Sequence, residues 1–263
     1  MDGKETACVT GAGGYQASWV VKLLLSHGYK VHGTVRDPSF RESELFKTDL
    51  QDFDGLCDAI VGCTGVFHVA CPVPSSTPVQ DPEPGYNWYS LAKTEAESLA
   101  FEYAAENGID VVTVCPSLII GPMLQPTMNY SSALLLSISR AKPQMHKLIK
   151  INQTDGLEKM EYFDLTVVDV RDVAEALLLV YLKPEAKGRY ICSSYSASTP
   201  LLIEKLKSLY PNHKYPKQIT GQGFVCKLSS DKLQKLGWTY RALEETLVDT
   251  IEDYYEKGLL EKP

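Results

Sequence analysis

A chain of 263 residues with 44% apolar content can build one large domain or two lobes sharing a core. Its net charge of −7, with mixed signs and no basic stripe, argues against nucleic acid as a partner. No apolar run reaches membrane-spanning length, Met1-Asp2-Gly3-Lys4-Glu5 does not read as a signal peptide, and seven cysteines (Cys8, Cys57, Cys63, Cys71, Cys115, Cys192, Cys226) show no metal spacing; the expectation is a cytoplasmic protein with no membrane contact, no metal, and mostly buried thiols.

The first element is an apolar run, Ala7-Cys8-Val9. Thr10-Gly11-Ala12-Gly13-Gly14-Tyr15-Gln16-Ala17 follows, and an amphipathic run from Ser18 to His27 stops at Gly28. This reads as a strand, a glycine turn and a helix. Glycines let the backbone turn sharply and approach a ligand, and the helix N-terminus offers unpaired N–H groups to a pyrophosphate. Gly11, Gly14 and Ala17 are spaced G-x-x-G-x-x-A, so the strand and helix context carries the inference. The alternative is a tight turn with no ligand.

A second strand, Lys30 to Val35, ends at Arg36. An acidic residue there would bind the ribose 2′-hydroxyl of NAD. A guanidinium suits a 2′-phosphate, which favours NADP. The alternative is an arginine merely solvated at a strand end. Residues 37–44 then lead to a third apolar piece, Leu45-Phe46-Lys47. Parallel neighbours need a crossover of about a dozen residues or more, so one face of the sheet lacks a helix there. In Thr48-Asp49-Leu50, Asp49 can meet an adenine edge, cap the helix expected over Asp54 to Val61, or do both.

Strand four reads Gly65 to Ala70, and Cys71-Pro72 ends it at the carboxyl edge of the sheet, where ligands bind in open α/β folds. His68 within it is expected to be a satisfied histidine, not a catalytic one. Residues 72–87 are Pro-, Ser- and Asp-rich and read as an exposed loop. Asn87-Trp88-Tyr89-Ser90-Leu91-Ala92-Lys93 opens a helix running to about Asn107, with Gly108 as its stop. Tyr89 and Lys93 are four apart and share one side of that helix. Lys93 can bind a nicotinamide ribose and lower the phenol pKa, and Tyr89 can pass a proton to a carbonyl oxygen. A plain helix face is the alternative.

Ile109 to Cys115 is expected as a buried parallel strand. Pro116-Ser117-Leu118-Ile119-Ile120-Gly121-Pro122 could flank a nicotinamide, or be a turn between strand and lobe. A helical patch covers Ser131 to Ala141, a strand Phe163 to Val168, a helix Val173 to Tyr181, and a strand Arg189 to Cys192. Helices at Leu201–Tyr210, Ser230–Leu236 and Leu243–Tyr255 close the chain. Gly237 stops the second of these, and the last places Leu243, Leu247, Ile251 and Tyr254 on one stripe.

Together these residues resemble the extended short-chain dehydrogenase/reductase superfamily, and within it the plant cinnamoyl-CoA reductase and dihydroflavonol reductase group. The matching pieces are Thr10 to Ala17, Gly33 to Arg36, Asp49-Leu50, Gly65 to Ala70, Asn87 to Lys93, Pro116 to Pro122 with Gln125-Pro126-Thr127, Val168 to Ala174, and Gly188-Arg189-Tyr190. The resemblance implies an α/β fold, a Rossmann-type doubly wound parallel sheet with a small C-terminal substrate lobe. Residues 1–121 and 163–195 would bind NADP, and 122–162 and 196–263 would form the lobe. It implies that Thr10, Gly11, Ala12, Gly13, Gly14, Tyr15 and Gln16 hold the pyrophosphate, Arg36 the 2′-phosphate, and Asp49 and Leu50 the adenine. Val69, Ala70 and Cys71 would pass under the ribose and diphosphate. Pro116, Ser117, Leu118, Ile119 and Ser131 would line the nicotinamide end, with Tyr89 the proton donor and Lys93 its partner. The substrate would be a small phenylpropanoid-type carbonyl or thioester. The lignin enzymes of the group carry N-W-Y-C-Y-G-K. Here Ser90, Leu91 and Ala92 replace C, Y and G, which bears on any preference for hydroxycinnamoyl-CoA.

Two departures stand out. The family has a helix between strands two and three, largely absent here. It also has a helix, a strand and a catalytic Ser between strand four and Y-x-x-x-K, where this chain has only 18 residues between Ala70 and Tyr89. Ser75 and Ser76 resemble the family's own Ser-Ser in the loop after strand four, not the absent serine. The chain therefore reads as a reductase from which internal segments were removed, as by exon skipping or an incomplete gene model. A sheet lacking an inner strand must close up or leave backbone groups unpaired, and the face once under the lost helices should be wet. Three functions follow: a reductase with impaired turnover, a non-catalytic dinucleotide- or partner-binding protein, and an NAD-linked sugar-nucleotide epimerase, against which Arg36 argues.

Overall fold

A computed structural model describes residues 5–36, 44–71, 88–139, 159–223 and 227–262. The proline-rich stretch with Ser75 and Ser76, the linker 37–43 and Cys226 lie outside the described residues. In chain order the elements are β1 (Thr6–Val9), α1 (Tyr15–Ser26), β2 (Lys30–Val35), β3 (Glu44–Lys47), α2 (Phe53–Ile60), β4 (Gly65–Phe67), α3 (Trp88–Asn107), β5 (Val112–Pro116) and β6 (Leu118–Ile120). Then come α4 (Tyr130–Ser139), β7 (Lys159–Glu161), β8 (Asp164–Asp169), α5 (Val170–Leu182), β9 (Gly188–Cys192), β10 (Tyr195–Ser198), α6 (Thr199–Leu209), β11 (Gln218–Thr220), α7 (Asp231–Lys235) and α8 (Leu243–Glu256).

The fold is α/β with parallel Rossmann-like pairing, and its main sheet is split. Four parallel strands run in the order β3-β2-β1-β4. β5 pairs in parallel only with β9, and among the described residues no strand joins β4 to β5. The break falls where the short connection between strand four and Y-x-x-x-K placed it. Of the two outcomes expected for such a sheet, the described residues show it split and not closed up. β5 was expected to be buried, yet Val112 to Pro116 are each only half-buried, and among the described residues β9 is its one strand partner.

Side chains alternate across each strand, so register assigns the two faces. Ala7 and Val9 pair with Val31 and Gly33 on one side and with Gly65 and Phe67 on the other. Ala7, Val9, Val31 and Phe67 are buried in one cluster with Ala17, Val20 and Leu24 of α1 and Ala174 and Leu178 of α5. On the opposite face Cys8 pairs with His32 and Val66. α2 covers the first two, since His32 Nδ1 lies 2.9 Å from the Ala59 carbonyl. Val66, beyond the reach of α2, is 46% exposed. The β4 end of that face is wet, as the lost helix predicts.

α5 holds the two halves together. Its Ala174 and Leu178 pack on the β1–β4 half, and its Val173, Ala176 and Val180 pack with Tyr190 and Cys192 of β9. A further cluster unites α4, α6 and α8 with Ile120, Val167 and Ala197. The stripe Leu243, Leu247, Ile251 and Tyr254 is buried within it.

Several expectations need correction. Leu118 to Ile120 was open to being a turn and is a strand, parallel to β8. β7, β10 and β11 were not foreseen. The helix after Asp49 begins at Phe53 and is capped by Asp52, which accepts from the Gly55 N–H at 3.1 Å. Asp49 instead accepts from the Gln51 N–H, closing its own local turn. Among six described cysteines only Cys8 and Cys192 are buried; Cys57 is exposed and Cys63, Cys71 and Cys115 are half-buried. Cys115 lies on the half-buried β5.

Candidate dinucleotide and carbonyl site

The glycine turn is tied down from both neighbouring strands. Thr10, buried at the end of β1, donates its N–H to the Phe67 carbonyl, and its hydroxyl accepts from the N–H groups of Val69 and Ala70 at 3.1 and 3.0 Å. On the other side the Gly11 N–H donates to Thr34 Oγ1 at 3.0 Å and the Ala12 N–H to the Thr34 carbonyl at 2.9 Å. Gly11 has φ +66°, and a Cβ there would sit 3.0 Å from the Ala70 Cβ, so a side chain is excluded by conformation and by space. A Cβ on Gly13 would meet nothing within 4 Å, leaving the turn open on its outer side.

α1 starts at Tyr15 with Gly14 as its N-cap. It has no side-chain cap and no acidic residue in its first turn, so its leading N–H groups and dipole end stay available to an anion. Gln16 is half-buried in that first turn. Tyr15 points elsewhere: its hydroxyl donates to the Gly121 carbonyl at 2.9 Å, and burial raises its pKa well above the ordinary tyrosine value. Arg36 is exposed just past β2, and Asp49 and Leu50 are exposed just past β3, so all three lie at the carboxyl ends of neighbouring strands.

Tyr89 and Lys93 lie on the side of α3 that faces this edge. Tyr89, 39% exposed, lies close enough to Cys71, just past β4, for the thiol to act on its phenol. The Lys93 ammonium acts on His68. His68 Nδ1 is 3.1 Å from Thr10 Oγ1, so this histidine is satisfied within the turn, as expected. Desolvation first, and then Lys93, lower the His68 pKa, which keeps the imidazole neutral near neutral pH. The Tyr89 pKa moves up, against the expected lowering: desolvation leads, followed by the Cys71 thiol.

At the far end, Pro116 closes β5, and the side chains of Leu118 and Ile119 pack into hydrophobic clusters. That leaves the backbone and Ser117, whose buried Oγ has no hydrogen-bond partner among the described residues. Ser131 is buried in α4 and accepts from Asn129 Nδ2 at 2.8 Å. Two features were missed in the sequence. Thr34 is a fixed buttress under the turn. Glu97, one helical turn beyond Lys93, binds Arg189 of β9. The i+4 spacing from Lys93 could have shown Glu97.

The model of the NAD dependent epimerase/dehydratase family matches residues 7–83 and 71–192. The chain belongs to that family. The two matches meet over 71–83, at the sheet's break. Within the family the chain is of the cinnamoyl-CoA reductase and dihydroflavonol reductase type. It is 34% identical to cinnamoyl-CoA reductase 1 of Arabidopsis thaliana, over 97% of this chain and 91% of the relative. That alignment spans 328 positions against a chain of 263, so at least 65 positions have no residue here. The chain is also 30% identical to the bifunctional dihydroflavonol 4-reductase/flavanone 4-reductase of Pyrus communis, over 98% of this chain and 93% of the relative. The crystal structure of vestitone reductase from alfalfa superposes with a TM-score of 0.74 at 23% identity, covering 98% of this chain and 100% of that one, and so shares the fold.

Proposed function

We propose that this chain is an NADP-dependent reductase of a phenylpropanoid-type carbonyl or CoA thioester, with turnover impaired by loss of the serine-bearing segment. Residues 1–121 and 163–195 form its dinucleotide-binding part, and 122–162 and 196–263 its substrate lobe. What supports this reading is that Cys71 acts on the Tyr89 phenol and Lys93 on His68, while His68 itself sits 3.1 Å from Thr10 in the glycine turn. The residues fit a dinucleotide: Gly11 cannot hold a side chain, Gly13 is open, and α1 begins uncapped. Thr10 to Gln16 would hold its pyrophosphate, Arg36 a 2′-phosphate, Asp49 and Leu50 the adenine, Val69 to Cys71 the ribose and diphosphate, and Pro116 to Ile119 with Ser131 the nicotinamide end.

When bound, NADPH supplies the hydride. Tyr89 gives its phenolic proton to the carbonyl oxygen, and its raised pKa keeps it protonated and ready to donate at neutral pH. Lys93 would hold the ribose, and its charge would stabilise the tyrosinate left behind. The α5-side core excludes water from below the turn. Without the family's serine, one hydrogen bond to the substrate oxygen is lost, a change on the order of a hundredfold or more in rate.

The test is NADPH oxidation with cinnamaldehydes, cinnamoyl-CoA and dihydroflavonols, paired with tryptophan quenching on NADPH titration. Slow turnover abolished by Tyr89→Phe supports the proposal. Quenching with no turnover on any substrate supports the second reading, a non-catalytic dinucleotide-binding protein, which the lack of a described strand between β4 and β5 favours. Tighter binding of NAD than NADP would favour an epimerase and argue against the role given to Arg36.

A further inference from the structure

α3 is a long helix with little beneath it. Of its described side chains only Ala104 is buried, with Glu97 and Phe101 half-buried, while Leu99 and Tyr103 are 64% and 61% exposed. Among the described side chains, apolar packing therefore holds it only near its C-terminal end, far from Tyr89 and Lys93 in its first two turns. Between them lies Glu97, on the same stripe as Tyr89 and Lys93 at i, i+4 and i+8.

The Glu97 carboxylate collects donors from both strands of the detached pair. Arg189 of β9 reaches it through Nε at 3.0 Å and through a guanidinium nitrogen to the second oxygen. Thr113 Oγ1 and Cys115 Sγ of β5 both donate to Oε1. Glu97 is shielded from solvent and Arg189 is more exposed. The Arg189 hydrogen bond is the largest influence lowering the Glu97 pKa, so the carboxylate is charged at neutral pH.

We infer that the Glu97–Arg189–Thr113 clasp is a positioning device that seats the first turns of α3, setting Tyr89 against Cys71 and Lys93 against His68. Glu97 touches none of the reacting atoms. It fixes α3 on β5 and β9 about 12 Å along the helix from Tyr89. In a sheet with an inner strand absent, this polar clasp does what packing does elsewhere. The inference deepens the proposed function, because it matters for turnover only if Tyr89 and Lys93 are the catalytic pair.

The test reads the seat without needing turnover. Iodoacetamide labelling of each cysteine is followed by peptide mapping in the parent chain, Glu97→Gln, Arg189→Gln, the milder Thr113→Val, and the charge swap Glu97→Arg/Arg189→Glu. Loss of a charge-assisted bond should speed Cys71 labelling about tenfold in the two Gln variants. Thr113→Val, which keeps the ion pair and the fold, should give a smaller rise, and the swap should return the rate toward the parent value. Cys8, buried in β1, and Cys192, buried at the far end of β9 from Arg189, should keep their parent rates. Unchanged Cys71 rates in Glu97→Gln, Arg189→Gln and Thr113→Val overturn the inference. So does parallel acceleration of Cys8 and Cys192, which marks general loosening, or a swap that fails to restore the rate. If instead labelling behaves as expected and no variant turns over any substrate, the proposed function fails and the clasp stands.

Discussion

The two faces of β4 differ sharply. Phe67 points toward α1 and α5 and is 5% exposed; its neighbour Val66 points the other way and is 46% exposed. The difference comes from which chain segments supply each cover. The Phe67 face is covered by α5, which returns from about a hundred residues later in the sequence. The Val66 face depends on whatever follows β4 directly, and there the chain is short. Loss of a local segment strips one face and leaves the other intact, because the second cover is contributed from afar.

The comparison can be broken by mutation, with the largest effect first. Phe67→Ala should destabilise by roughly 3–5 kcal/mol, whereas Val66→Thr should stay within about 0.5 kcal/mol. Urea unfolding of both variants measures the contrast, and equal losses would show that the second face is covered after all. Next is a pH effect on the core beside α5. Burial raises the Asp172 pKa from 3.8 to about 6 despite its ion pair with Arg241. A carboxyl whose folded pKa is raised binds its proton more tightly when folded, so its contribution is full below about pH 4 and is lost as pH rises through 6. Unfolding midpoints should show that fall in the parent chain, and it should be absent in Asp172→Asn. The Glu97 pKa moves the opposite way. Its contribution is present above the usual carboxylate range and lost as pH falls through its lowered folded value, so acid should release the first turns of α3 before the β1–β4 half melts. Hydrogen exchange followed downward in pH reads that order. Smaller still, Asp52→Ala removes the α2 cap at a cost of about 1 kcal/mol, and Leu99→Ser on the wet side of α3 should change stability by less than about 0.5 kcal/mol.

What the sequence made legible divides along the same line. The glycine turn, the strand at Lys30 to Val35 and the α8 stripe were readable because each follows from local spacing and local chemistry. The break in the sheet was readable from a distance along the chain, 18 residues where a helix and strand belong. β6 was missed because Leu118 to Ile120 follows Pro116 so closely that three apolar residues look like a turn; its identity comes from pairing with β8, nearly fifty residues on. The direction of the Tyr89 pKa was missed because it depends on burial and on Cys71, which no helical spacing encodes. The clasp needed both a helical period and the placement of Arg189, and only the first is written locally.

The proposed reductase joins a sound cofactor half to an incomplete chemical half. Its most direct test is NADPH oxidation with cinnamaldehyde, measured on protein shown by quenching of Trp19 and its fellow tryptophans to be saturated with NADPH. The account expects saturable quenching with turnover on the order of a hundredfold or more below a serine-bearing family reductase assayed alongside. Turnover equal to that reductase, or no quenching by NADPH at any concentration, would contradict it.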